Sequence, residues 1–312
     1  VSVSEVCRRY RRGDLPSSGV DLGVDATSAL LLAVWAHSVG DRATACECAA
    51  RAARFDPGSE FARLLARYVR DPAGEGVYDS PAAFRAFIRG GGNVGLYERT
   101  SAALRAAYDE FRPGCVLDIG VGDGLALMPA VPDSGVHVDL VEPSASLLDE
   151  VVGALTHRGI SHRACQGTFQ EFTCDHDASS WDLVQSSFAL QSLPPDDRSR
   201  ALSWIARHTR VFVLVEFDVA EVVCPYEPGW FRGCVSRVER GLREYGRDRD
   251  LVGLGFVLPV ILGHFDTAGR TNYECSVRQW EWELREAGFT DVVSRELYDY
   301  WWEPAHVVEA TR

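Results

Sequence analysis

The sequence predicts an α/β fold: a doubly wound, mostly parallel sheet with an α-helical N-terminal extension and a cap insertion. Three observations carry this. From Pro113 onward, short β-branched and apolar runs alternate with helical stretches, the signature of parallel βαβ units. The first of those runs ends in a turn of alternate glycines. The first 75 or so residues show only helical spacing. A chain of 312 residues, 46% hydrophobic and 25% charged, has ordinary globular composition and room for about two domains.

In chain order, residues 1–75 read as the helical extension. Ala29–His37 is an apolar helix ending near Gly40, Asp41–Phe55 is a second, and Asp56-Pro57-Gly58 breaks it. Phe61–Val69 is a third, with Phe61, Leu64, Leu65 and Val69 at helical spacing. Leu32, Ala33, Gly40, Ala45, Ala52 and Pro57 resemble the small and turn positions of one tetratricopeptide repeat. Since a solenoid needs about three repeats, the expectation is a helical hairpin packed on the next domain rather than a peptide-binding array.

Residues 76–112 follow as linker and cofactor-covering helices. Ser80 caps a short helix to Arg89. Gly90-Gly91-Gly92 reads as a flexible joint, and Asn93–Phe111 as a long amphipathic helix. Residues 113–218 form the core. Its strands are Cys115–Ile119, Val136–Val141, a weak one ending at Cys165-Gln166, Asp182–Ser186 and Val211–Phe217. Helices Leu125–Ala130, Ser146–Leu155 and Asp196–Arg207 lie between. Residues 219–274 are too long for a connection and read as the cap for an acceptor. Residues 275–312 add a helix, Ser276–Ala287, and two strands that can close the sheet as an antiparallel hairpin.

Composition excludes several functions. Net charge is −13 and all 32 cationic side chains are arginine. This balance disfavours a nucleic-acid or anionic-membrane surface, which needs a basic footprint, and leaves room for a local basic pocket. Without lysine there is no Schiff base and no P-loop lysine. Nine cysteines at irregular spacing, without a leader or an 18-residue apolar run, imply reduced thiols in a cytoplasmic protein. Cys46-Glu47-Cys48 directs its thiols apart on a helix, so no metal site is expected.

The strongest motif is Val116-Leu117-Asp118-Ile119-Gly120-Val121-Gly122-Asp123-Gly124. A buried strand delivers Asp118 and then glycines that let the backbone approach a ligand. Glu142 ends the next strand, where an acid can accept hydrogen bonds from both ribose hydroxyls. A dinucleotide turn wants glycine at 125, which is leucine. An aspartate ahead of the glycines suits an ammonium group rather than a pyrophosphate.

These stretches, with Gly167-Thr168-Phe169-Gln170-Glu171-Phe172 and Trp181–Gln191, resemble the class I S-adenosylmethionine-dependent methyltransferases over about 200 residues. The resemblance implies the sheet of that class and S-adenosylmethionine as cofactor. Asp118, Gly120 and Gly122 would hold its methionine end, and Glu142 its ribose. Thr168 stands where many relatives place an aspartate reading the adenine amino group, and Phe169 would cover the adenine face or offer its backbone amide. Ser186 and Ser187 would lie near the methyl group, and Gln191 replaces a histidine common in small-molecule relatives. Tyr97 and Asn93 are candidates to close over the cofactor.

In-line methyl transfer draws much of its rate from positioning, and needs a base only for a weakly nucleophilic acceptor. His264, with Asp266 or Glu216 to orient it, is the candidate base; Glu216 could alternatively take a proton from a carbocation. Tyr226, Trp230 and Arg270 are candidate acceptor contacts, and the aromatic cap suits a hydrophobic or cyclic molecule. Trp280, Trp282, Trp301 and Trp302 read as packing for the last strands. The expected function is methyl transfer to a small-molecule acceptor through O, N or C, in bacterial secondary metabolism. A carrier- or peptide-directed enzyme recruited by the N-terminal hairpin, and a non-catalytic binding scaffold, stay open, as does homo-oligomerisation.

Overall fold

The sheet is built from β1 (Cys115–Ile119), β2 (His137–Glu142), β3 (Ser161–Gln166), β4 (Trp181–Ser187), β5 (Thr209–Phe217), β6 (Asp291–Tyr298) and β7 (Ala305–Thr311). This is seen in a computed structural model that describes residues 25–71, 80–221, 224–265 and 272–312. The strand order is β3-β2-β1-β4-β5-β7-β6. The first five strands pair in parallel. β7 runs antiparallel between β5 and β6, so the terminal hairpin inserts its second strand next to the core. Trp301 and Trp302 precede β7. β3 is an edge strand with an exposed or half-buried face, which is why its apolar pattern is weak.

Alternation in the strands sorts the core onto two faces. Val116, Val138, Leu183 and Val213 pack on one, with Leu104 and Tyr108 of the helix Asn93–Phe111. Leu117, Val184, Phe212 and Leu214 pack on the other with Trp204, Trp280 and Phe289. Trp280 meets its packing expectation; Trp282 does not, being 55% exposed.

The described residues divide into two units, one drawn from Val1–Val94 and Val222–Thr271, the other from Gly95–Glu221 and Asn272–Arg312. In the first, helices Ala26–Ser38, Arg42–Phe55, Glu60–Arg70 and Pro81–Ile88 fold together with Pro228–Arg243 and the helical run from Arg249 to Gly263. The ion pair Arg249–Glu60 at 3.0 Å and the Ser59 hydroxyl on Glu239 at 2.6 Å cross between chain segments. Arg63 and Arg67 both reach Asp250.

Two glycines of the insertion make this close approach feasible. A Cβ on Gly253 would stand 2.6 Å from Leu64 Cδ1, and one on Gly255 2.5 Å from Ala83 Cβ. Gly255→Val is therefore expected to destabilise this unit by about 1–3 kcal/mol through overpacking. Thermal unfolding checks it, and an unchanged midpoint would contradict the contact.

The glycine joint is a correction. Gly91 has φ +51°, but a Cβ on Gly90 would meet Ala86 O at 2.8 Å and the Tyr245 ring at 3.2 Å. The Gly92 amide donates to Glu244 at 2.6 Å. The three glycines form a tightly packed turn, because the backbone must pass directly under Tyr245.

Candidate functional site

The carboxyl ends of β1, β2 and β4 carry the predicted motif residues. β1 terminates in a loop where Gly120, Gly122 and Gly124 take φ of 71°, 58° and 77°, a region open to glycine and costly for other residues. Each glycine has its own reason. A Cβ on Gly120 would collide with Ala189 Cβ at 2.4 Å. One on Gly124 would crowd Val151 and Met128 at 3.0 and 3.1 Å. In front of Gly122 nothing lies within 4 Å, so a ligand can approach that backbone.

Glu142, buried at the end of β2, grips this loop. Its Oε2 accepts from the Gly122 amide at 3.0 Å and its Oε1 from the Ser144 amide at 2.9 Å. Each oxygen retains a second lone pair for a hydroxyl donor.

Asp118 is 5% exposed. Its Oδ2 accepts from Gln185 Nε2 at 2.8 Å, and Gln185 Oε1 accepts from the Tyr108 hydroxyl at 2.6 Å. Asp118 and Gln185 are register partners on β1 and β4. Burial, with the nearby Glu142 charge adding to it against the Gln185 bond, pushes the Asp118 carboxyl up to about 7. Gln185 and Tyr108 were given no role by the sequence reading. The available signal was a glutamine inside β4, next to the buried Val184.

After β4 the chain turns sharply at Phe188, whose φ is 56°, an uncommon conformation for a bulky residue. Its amide donates to Val215 O at 2.9 Å. Its ring stacks on Phe217 at 4.7 Å and meets Tyr97 edge-on at 6.0 Å. Ser187 is half-buried just before this turn, and Ser186 is fully buried with its hydroxyl on Ile119 O at 3.0 Å.

Glu216 is 2% exposed and accepts from the Gln191 amide at 3.2 Å. Burial pushes its carboxyl well above the usual carboxylate range. Glu216 anchors the loop after β4 through that hydrogen bond. Its Oε2 and the Gln191 Oε1 are buried without a hydrogen-bond partner, while Gln191 Nε2 donates to Phe188 O at 3.3 Å.

Thr168 caps the helix Phe169–Asp175, donating its hydroxyl to Glu171 at 2.8 Å and accepting from the Glu171 amide at 3.2 Å. The capping box uses the hydroxyl hydrogen and one lone pair, and the second lone pair stays available to a donor. The Phe169 ring packs against Trp204 at 5.4 Å and Phe172 at 6.2 Å in the core, so it does not lie open to cover an adenine. Its backbone amide is at the first turn of the helix. Tyr226 is 0% exposed, hydrogen-bonded to Ser38 at 3.0 Å and packed on Phe265; it is core, not an acceptor contact.

Asn93 is buried and donates its amide to Phe87 O and Tyr245 Oη, both at 2.9 Å. Trp230 is half-buried edge-on to Phe265 at 5.9 Å. His264 caps the helix Leu258–Gly263 and is half-buried. Arg270 and Asp266 lie outside the described residues.

A cavity of about 540 Å³ opens elsewhere, lined by Cys115, His137, Asp139, Arg163 and Trp181. It sits at the amino ends of the strands, whereas ligands of open α/β sheets bind beyond the carboxyl ends. Among the described residues no group of three or more His, Cys, Asp or Glu is placed to hold a metal. No described helix is long and apolar enough to cross a membrane.

Residues 116–211, from β1 into β5, match the family model of a methyltransferase domain. The chain carries a methyltransferase domain. The match and the strand order agree with the resemblance to class I enzymes. Such a domain takes its methyl group from S-adenosylmethionine, and the open Gly122 backbone beside Glu142 fits a ribose-bearing ligand.

Among solved structures, the domain resembles magnesium protoporphyrin IX methyltransferase from Synechocystis with bound S-adenosylmethionine. Identity is 14%, with 75% of this chain and 93% of that one covered, at a TM-score of 0.49. It also resembles the 1,6-didemethyltoxoflavin-N1-methyltransferase of Burkholderia thailandensis: 16% identity, 81% and 89% covered, TM-score 0.48. At these values the likeness says nothing of the acceptor. No curated protein matches the chain.

Proposed function

We propose that this chain transfers the methyl group of S-adenosylmethionine to a small-molecule acceptor. The observation that carries this reading is the clamp between Glu142 and the Gly122 amide, with open space before Gly122. It leaves a backbone surface and an acid side by side at the ends of adjacent strands.

The bound donor would supply an electrophilic methyl on a positively charged sulfur. Asp118, Gly120 and Gly122 would hold its amino-acid end, and Glu142 its ribose hydroxyls. The Phe169 backbone amide remains a candidate for the adenine. Ser187, Phe188 and Gln191 would line the acceptor side, with Glu216 fixing their loop through the Gln191 amide. The Phe188–Phe217–Tyr97 group gives that side an aromatic wall, which suits an apolar or cyclic acceptor and excludes water. Transfer then relies on positioning, and the acceptor must be nucleophilic already or bring its own ionised group. The setting we propose is bacterial secondary metabolism, as the sequence resemblance implies.

Calorimetric titration with S-adenosylmethionine and, separately, NAD tests the reading. Micromolar-range binding of the sulfonium donor and none of the dinucleotide is the expected result. Binding of NAD alone would overturn it.

A further inference from the structure

A chain of three side chains lies beneath the glycine loop: the Tyr108 hydroxyl on Gln185 Oε1, then Gln185 Nε2 on Asp118 Oδ2. All three are buried. Tyr108 belongs to the helix Asn93–Phe111, which is also tied to the far side of the loop. There Ser101 donates to Leu125 O at 3.1 Å and Arg105 to Pro129 O. The helix, β4 and β1 therefore fix one rotamer of Asp118. Gln185 occupies Oδ2, and no described residue donates to Oδ1.

Because Oδ2 already accepts a hydrogen bond, the proton of the acid form belongs on Oδ1, the oxygen left for a ligand. The titratable groups that face Asp118 are Tyr108 from the helix and Glu142 from β2. Neither supplies a positive charge. Glu142 opposes ionisation of Asp118, and among the described residues no cation acts on it.

We propose that Gln185 and Tyr108 are positioning residues that aim Asp118 Oδ1 at the ammonium group of the methyl donor, and that donor binding expels the Asp118 proton. This rests on the reading of the chain as binding S-adenosylmethionine. In the step, the Oδ1–H bond breaks, its electron pair stays on the carboxylate, and the proton passes to buffer. The ammonium group of the donor then pairs with the new carboxylate. The arrangement makes the donor's charge part of the site's own folding chemistry. A carboxyl that burial holds as an acid becomes an ion pair only when its partner arrives.

The test is calorimetric titration of the full chain with S-adenosylmethionine at pH 6 in two buffers of different ionisation heat. Release approaching one proton per donor bound is expected. Affinity should rise roughly tenfold per pH unit below the Asp118 titration and flatten above pH about 7, since Asp118 is pushed up to about 7. Asp118→Asn should remove both effects. Gln185→Leu takes away the bond that favours the ionised form, so release should persist at pH 8, measured against Asp118→Asn as baseline. A simple structural role for Gln185 would lower stability without moving that profile. Donor binding without proton release, or a Gln185→Leu profile identical to the parent, would overturn the proposal. No donor binding at any pH would instead overturn the underlying reading, and this inference with it.

Discussion

Glu142→Ala is expected to weaken S-adenosylmethionine binding by at least about 100-fold, because hydrogen bonds to a charged group are worth about 1.5–3 kcal/mol each. Two effects combine. The ribose hydroxyls would lose a charged acceptor. The amides of Gly122 and Ser144 would lose the carboxylate that now holds them at 3.0 and 2.9 Å, leaving the loop without its fixed shape. Glu142→Gln keeps one acceptor oxygen and should fall between the parent and the alanine variant. Calorimetric titration measures all three. A loss below tenfold for Glu142→Ala would mean that the ribose is held elsewhere.

The second large effect concerns the buried pair beneath the loop after β4. Arg198 and Glu283 side chains are 3% and 8% exposed, and the guanidinium forks onto both carboxylate oxygens at 2.7 Å. Arg198 also donates to Tyr273 O at 2.8 Å and lies over the Trp280 ring at 4.6 Å. Tyr273 in turn donates its amide to Gln191 O at 2.7 Å. Among the described residues, Arg198→Met leaves the buried Glu283 charge with Gln279 Nε2 at 2.9 Å as its remaining side-chain donor. Removing one member of such a pair costs about 3–5 kcal/mol. Urea unfolding should record that loss, and the double variant Arg198→Met with Glu283→Leu should recover most of it. A single variant as stable as the parent would show that the pair contributes nothing. Since Tyr273 and Gln191 lie next to the proposed acceptor loop, Arg198→Met should also slow transfer without changing donor affinity.

Much of the core was legible because its signals are local. A run such as Val138–Glu142 declares a buried strand by its own residues, and Ser80 declares a helix start, accepting the Ala83 amide. The glycine turn was legible because the chain must take positive φ there. The parallel pairing of the first five strands followed from βαβ alternation, but their order in the sheet did not. Nothing local in 291–311 says that the last strand enters beside β5. That depends on Val307 and Val308 matching the two faces of the existing sheet.

The sequence by itself determined the α/β architecture, the glycine loop and the position of Glu142, because spacing of two, three or four residues sets which side chains share a strand face or a turn. Only the tertiary structure decided what each candidate side chain touches. Thr168 turned to its own helix, Phe169 and Tyr226 turned into cores, and Glu216 went under the loop, where burial raises its carboxyl. Gln185 and Tyr108, 77 residues apart, met on Asp118. Contacts between distant residues depend on how faces pack against one another, and a one-dimensional pattern records the face but not its partner.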